Sequence, residues 1–309
     1  MSSSTNTHSF TDEFLVALKD RVPAYSNHVL KLAESSPELF REFSEPMLEW
    51  AHISLGQDYL DRIIDGYVFF VTEVNMAQIM YEKTGRYQYS SFQEVYDVAY
   101  GDEEFMEDYH WGVFASTFAW EHHLNLSKLF RDRFLERLDN NAKVLDLGAG
   151  SGIYNLLALR QCPSATAVAV DISPTSVKES RNTAVELGLG DRTQHICSDA
   201  TTWKAGDMFD AAISCFVLEH LEHPELLLLN LSRNVKPHGL VYVTTALTAS
   251  EIDHIYEFRR ESEVVAMCER AGFRVLEYQS LASSDTPTDR YFLPRSIGLV
   301  LQVKKGPIW

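Results

Sequence analysis

From residue 143 onward, short apolar runs alternate with helix-length segments, and this alternation leaves very few folds open to the chain. The runs fall at 143–147, 167–171, 193–197, 209–215 and 240–245. Strands that continue in the same direction need a crossover, and a segment long enough for a helix separates each pair here. Two further runs, 273–281 and 296–304, are joined by a polar stretch rich in Pro, Ser and Asp that is too short for a crossover helix. They are expected to pair antiparallel at a sheet edge. The pattern predicts an α/β fold with a doubly wound sheet of seven strands, one of them reversed. Ahead of it, residues 10–138 show apolar spacing of three and four, as in Phe14, Leu15 and Leu18 or Leu126, Leu129, Phe130, Phe134 and Leu138. That half reads as all-α, with Pro23, Pro37 and Pro46 at helix starts or stops and Gly85 and Gly101 interrupting later segments. The division expected is 1–138 for a helical cap and 139–309 for the sheet domain, with Asp139-Asn140-Asn141 between them.

The first strand run leads into a glycine loop, Asp146-Leu-Gly148-Ala-Gly150-Ser-Gly152. Glycines there allow a sharp turn and let a ligand lie against bare main chain at the carboxyl edge of the sheet, where open α/β folds bind ligands. Two competing loops are excluded. The phosphate-cradling loop needs a Gly-Lys-Ser/Thr ending, which is missing. The dinucleotide fingerprint G-x-G-x-x-G fails because Ile153 or Asn155 stands where the third glycine belongs. Three acids sharpen the signal. Asp146 precedes the loop, Asp171 ends the second strand run in Ala-Val-Ala-Val-Asp-Ile-Ser, and Asp199 follows the third in His-Ile-Cys-Ser-Asp-Ala. Consecutive parallel strands would bring all three to one crevice, although any one of them alone could be a helix cap.

With these residues the chain resembles the class I S-adenosylmethionine-dependent methyltransferases. The resemblance covers roughly residues 140–305 and continues through Phe209-Asp-Ala-Ala-Ile-Ser-Cys-Phe-Val-Leu-Glu-His-Leu221 and Arg233-Asn-Val-Lys-Pro-His-Gly-Leu-Val-Tyr242. It implies S-adenosylmethionine as cofactor and a methyltransferase-type sheet. Gly148, Gly150 and Gly152, with Asp146, would hold the methionine part. Asp171 would take the ribose hydroxyls and Ile172 would pack on adenine. Asp199 and Ala200 would meet the adenine edge, and Cys215 would lie beside the cofactor.

A sulfonium carries its own activated carbons, so the protein has to align a nucleophile, exclude water and support the cation. Aromatic faces suit the last task. The stretch from Asp108 to Trp120 puts Trp111, Phe114 and Phe118 on one helical face, with Tyr109 and Trp120 close by. Part of it is expected to roof the sulfonium or the substrate, although aromatics at this spacing serve equally as plain core. After the fifth strand, Asp253, His254 and Tyr256 would overhang the substrate side. His254 would act as base or hydrogen-bond donor, and Asp253 would orient it, bind an ammonium group or merely cap a helix. Glu121-His122-His123 lacks H-E-x-x-H spacing and reads as packing or surface histidines, so no metal is expected.

Charge limits the partners. Residues 1–141 carry 24 Asp and Glu against 11 Lys and Arg, while the remainder carries 20 against 16, within a net charge of −17. A phosphate-binding surface needs the opposite sign, so neither nucleic acid nor membrane is expected as a partner. The four cysteines, Cys162, Cys197, Cys215 and Cys268, form no CxxC pair and read as reduced, buried thiols. The first residues have no basic start and no apolar core, and no apolar run approaches a membrane span, which predicts a cytoplasmic protein.

Three functions fit these residues: methyl transfer to a small-molecule acceptor, cyclisation, and cofactor binding without catalysis. The resemblance also reaches a group that cyclises S-adenosylmethionine to azetidine-2-carboxylate and methylthioadenosine. Binding without catalysis fits less well, since degenerate members lose the glycines or the ribose acid and this chain keeps them. Oligomeric state is open.

Overall fold

The computed structural model describes residues 9–282 and 293–304. The run Met1-Ser-Ser-Ser-Thr-Asn-Thr-His and the polar stretch between the last two strands, save its ends, lie outside the described residues. The first half is helical: α1 (Phe10–Arg21), α2 (Pro23–Ser35), α3 (Pro37–Leu55), α4 (Tyr59–Thr84), a single turn α5 (Phe92–Val95), α6 (Glu103–Ala119) and α7 (Glu121–Leu129). Pro23 and Pro37 sit in the first turn, where a missing N–H costs nothing. Pro46 does not end a helix, contrary to the sequence expectation, and lies inside α3 as a buried residue. Gly85 closes α4 in the left-handed conformation at φ 72°. Helices α4 and α6 approach so closely that a Cβ on Gly112 would lie 2.4 Å from the Gly66 carbonyl oxygen.

The second half contains strands β1 (Lys143–Leu147), β2 (Thr166–Asp171), β3 (Thr193–Cys197), β4 (Phe209–Cys215), β5 (Val235–Leu247), β6 (Phe273–Ala282) and β7 (Arg295–Val303), with helices α8 (Ile153–Gln161), α9 (Pro174–Glu186), α10 (Pro224–Asn234) and α11 (Glu261–Arg270) between them. They form one seven-stranded sheet in the order β3-β2-β1-β4-β5-β7-β6. Every pairing is parallel except those of β7, which runs antiparallel to both β5 and β6. This is the predicted sheet, with β5 longer than the apolar run suggested.

Alternation along the strands sends neighbouring residues to opposite faces. Leu145, Leu147, Val241, Val243, Leu299 and Leu301 pack with Leu227 and Leu231 of α10 and Met267 of α11. On the other face Val144, Ile213, Tyr242 and Val300 share a core with Phe14, Phe40, Trp111, Phe118, Phe130 and Phe134 of the helical half. The Tyr242 hydroxyl, wholly buried, donates to the Leu126 carbonyl at 2.8 Å and ties α7 to β5. Cys162 and Cys268 are buried as expected, Cys215 is partly buried, and Cys197 corrects the expectation by being exposed at the end of β3.

Candidate active site

Strand order reverses between β1 and β4, so their carboxyl ends open a crevice that no crossover covers. A cavity of about 430 Å³ lies there, lined by the glycine loop, the ends of β2 and β4, the loop after β5 and one face of α6.

The three loop glycines all have positive φ: 77° at Gly148, 51° at Gly150 and 72° at Gly152. At Gly148 a side chain is excluded by space as well, because its Cβ would stand 2.4 Å from Val217 Cγ2. The Gly150 amide donates to Asp171 Oδ2 at 2.8 Å and the Ser173 amide to Oδ1 at 2.9 Å, so the carboxylate latches the loop to the end of β2. Burial raises the Asp171 carboxyl and these amides hold it down, leaving it above the ordinary aspartate value. Asp146, wholly enclosed, is pushed well up by burial and then by the nearby Asp171 charge. Asp199 lines the cavity but also does the work of a cap, since its Oδ1 accepts from the Thr201 amide and hydroxyl, both at 2.7 Å. Ile172, Ala200 and Cys215 line the cavity; Gly152 stands just behind the lining as the cap of α8.

The opposite wall is built from four separate segments. Asp253, 1% exposed, receives the Tyr100 hydroxyl at 2.9 Å and the Tyr109 hydroxyl at 2.8 Å, both on Oδ2. Its Oδ1 is buried with no hydrogen-bond partner. His220 Nδ1 lies 3.1 Å from the Asp253 carbonyl and 3.4 Å from Oδ2. Burial disfavours the charged form of this histidine, yet Asp253, Glu219 and Glu251 together raise it above the usual value. Burial likewise works against the Asp253 carboxylate, but His220, His254 and the two phenols keep it below the ordinary range. Glu251 is pushed up to about 8 by burial and by the Asp253 charge. Glu219 is a structural buckle. Its carboxylate accepts from the Thr245 hydroxyl at 2.7 Å and the Ala246 amide at 2.9 Å, while its carbonyl takes the amides of Ile255 and Tyr256.

The expected catalytic trio is therefore split. Asp253 and His254 line the cavity, and Tyr256 does not, packing instead against Phe258 with ring centres 4.6 Å apart. His254 is positioned by the Ala249 carbonyl, 2.9 Å from Nδ1, and not by the Asp253 side chain. Burial, followed by the neighbouring His220, lowers its pKa and keeps it neutral, with Nε2 bearing the lone pair.

The aromatic stretch divides by helical phase. Met106, Tyr109, His110, Val113, Ser116 and Thr117 of α6 face the cavity. Trp111, Phe114 and Phe118 occupy the other side and fill the core, where Phe118 meets Phe14 and Phe40 edge-on. Trp120 stacks on Phe70 and His122 and does not line the cavity. Of the aromatic residues predicted for the roof, Tyr109 alone belongs to the lining. His122 and His123 are both buried packing residues, and His123 borders the cavity against Phe216, ring centres 4.5 Å apart. Phe216 itself has φ 54°, an unusual conformation for a bulky residue, and its amide donates to both the carbonyl and the hydroxyl of Thr244 at 3.0 Å. Tyr100, Phe216, His220 and Glu251 escaped the sequence reading as site residues, because no spacing pattern links segments that meet only in the fold.

A seven-stranded sheet with one reversed strand, closed over its β1/β4 crevice by helices, defines a methyltransferase fold. The chain belongs to the methyltransferase domain family, whose model matches residues 120–278. It is 31% identical over 121 residues to the mitochondrial ubiquinone biosynthesis O-methyltransferase of Schizosaccharomyces pombe, covering 39% of this chain and 42% of that one. It is 29% identical over 119 residues to the ubiquinone biosynthesis O-methyltransferase of Brucella anthropi, covering 38% and 47%. The match thus spans less than half the length of these relatives. Among solved structures, the mitomycin 7-O-methyltransferase MmcR superposes with a TM-score of 0.56 over 95% of this chain and 94% of its own, at 16% identity. The [4+2]-cyclase SpnF superposes with a TM-score of 0.50 over 59% of this chain and 81% of its own, at 20% identity. These likenesses are of fold. Among the described residues no helix is long and apolar enough to cross a membrane.

Proposed function

We propose that the protein is an S-adenosylmethionine-dependent methyltransferase acting on a small-molecule acceptor. The observation that carries this reading is the side-chain-free glycine loop, latched to Asp171 on the floor of a cavity that α6 roofs. The residues fit the cofactor. Each Asp171 oxygen accepts one amide and retains a lone-pair site for a ribose hydroxyl. Ile172 offers an apolar surface to adenine, Asp199 and Ala200 border its edge, and Gly148, Gly150 and Asp146 face the methionine part. The bound cofactor supplies a methyl carbon already activated by its sulfonium. What remains for the protein is to orient the acceptor, exclude water beneath α6 and receive a proton, for which the neutral Nε2 of His254 is the available base.

The test is incubation with S-adenosylmethionine, first alone and then with candidate acceptors, followed by mass spectrometry. Methyl transfer predicts an inert mixture that yields S-adenosylhomocysteine only once an acceptor is present. Methylthioadenosine together with azetidine-2-carboxylate in the acceptor-free sample would replace transfer with cyclisation. Asp171→Ala is expected to weaken S-adenosylhomocysteine binding by about 1–3 kcal/mol, from the lost charged hydrogen bonds. Unchanged affinity by calorimetry would remove the ribose from that carboxylate.

A further inference from the structure

We infer that the acceptor carries a cationic amine on an apolar body and that Asp253 is its anchor. This rests on the methyltransferase reading above and adds the chemical class of the second substrate.

Seven carboxylates line the cavity, and among the described residues no lysine or arginine does. Glu219, Glu222, Glu251 and Asp253 lie on the wall away from the glycine loop. Two of these are otherwise engaged, Glu219 in the buckle of the β5 loop and Glu222 with the Phe92 amide at 2.8 Å. Asp253 differs. Two phenols fix its Oδ2 and leave Oδ1, in an almost fully buried residue of the lining, without a hydrogen-bond partner. A buried carboxylate oxygen left bare is costly unless a donor arrives, and an ammonium supplies a donor and the opposite charge together. Of the two histidines beside it, His220 approaches the other oxygen and His254 is hydrogen-bonded to the Ala249 carbonyl.

The surroundings suit the rest of such a molecule. Phe92 stacks on Tyr100 with ring centres 6.0 Å apart, and Phe70 meets Tyr109 edge-on at 5.5 Å. The anchor is thus framed by aromatic rings, whose faces attract a desolvated cation, and Met106 and Val113 of α6 extend the apolar wall. An anionic acceptor would face the Asp253 carboxylate and find no lysine or arginine in the lining to pair with.

The experiment uses the full chain saturated with S-adenosylhomocysteine and compares three probes of one shape by calorimetry: phenethylamine, phenethyl alcohol and 3-phenylpropionate. The amine is expected to bind at least about tenfold more tightly than the alcohol, with the carboxylate weakest. Asp253→Asn should abolish that preference while keeping S-adenosylhomocysteine affinity, which also shows that the variant is folded. Tyr109→Phe, which frees one side of Oδ2, should reduce the preference without abolishing it. An amine that binds no better than its isosteres overturns the inference. So does a preference that survives in Asp253→Asn. Loss of S-adenosylhomocysteine affinity in Asp253→Asn would assign the carboxylate to the cofactor's own ammonium and equally overturn it. Glu251, Asp253 and His254 also bring ligand-type atoms within 4.8 Å of one another. Manganese binding that depends on Asp253, without amine selectivity, would replace the amine by a metal ion. Wild-type protein that fails to bind S-adenosylhomocysteine would defeat the methyltransferase reading, and the probe comparison on the same protein would still decide the amine.

Discussion

Glu251 shows what a single enclosed carboxyl imposes on the protein around it. Its pKa is pushed up to about 8, first by burial and then by Asp253. In the unfolded chain the group ionises near the ordinary glutamate value, roughly 4.3. Between these two values the folded state holds a proton that the unfolded state releases. The stabilisation is present at low pH and declines as pH rises toward 8, at a rate of at most about 1.4 kcal/mol per pH unit. Asp146 and Asp171 are raised as well, so wild-type protein alone cannot isolate Glu251. Glu251→Gln can. The variant is expected to gain stability relative to wild type on moving from pH 5 to pH 8, read as a rising difference in urea midpoints, and a constant difference would mean that Glu251 is ionised in the fold.

At the scale of elements, the loop after β5 is held from the helical half. The Tyr87 hydroxyl donates to the Ala249 carbonyl at 2.7 Å, the Ser250 amide donates to Gln78 at 3.0 Å, and the Tyr81 hydroxyl donates to Glu257 at 2.6 Å. Ala249 is also the residue that positions His254. Tyr87→Phe is therefore expected to lower turnover and raise the acceptor KM several-fold while leaving cofactor affinity as it was. Equal effects on both substrates would show that the latch supports the whole crevice. Elements were also what the sequence conveyed best. Strands β1 and β4 begin and end where their apolar runs do, because a strand buried on both faces has no polar interruption to blur its ends. Pro46 misled because buried packing outweighs the local penalty of a proline within α3. The cofactor wall was legible because its residues lie on short consecutive loops. The acceptor wall was legible only in part: Tyr109, Asp253 and His254 were named from the sequence, whereas Tyr100 and His220 were not, since they join that wall only through tertiary packing.

For the whole molecule, the decisive fact is that one core serves both halves. Val144, Ile213, Tyr242 and Val300 of the sheet are covered by side chains of the helical half. A fragment lacking residues 1–138 would present those side chains to water. The chain is accordingly expected to unfold in one transition, with tryptophan fluorescence and far-ultraviolet circular dichroism giving the same urea midpoint. Two separated midpoints would show that the halves melt independently. The charge distribution belongs to this scale too, since the acidic excess resides mainly in the helical half that walls a carboxylate-rich cavity. Such a field should speed the encounter with a cationic ligand and fade as salt is added.

Helix α6 has two sides with separate obligations. Trp111, Phe114, Ala115 and Phe118 hold the fold together, while Met106, Tyr109, His110, Val113, Ser116 and Thr117 border the space where an acceptor would sit. Because the two sets interleave along one helix without sharing positions, selection can rewrite one and leave the other untouched. Specificity in this protein is then a property that can drift quickly over evolutionary time, or be redirected in a library confined to the cavity-facing positions of one helix, without each new variant having to rediscover how to fold.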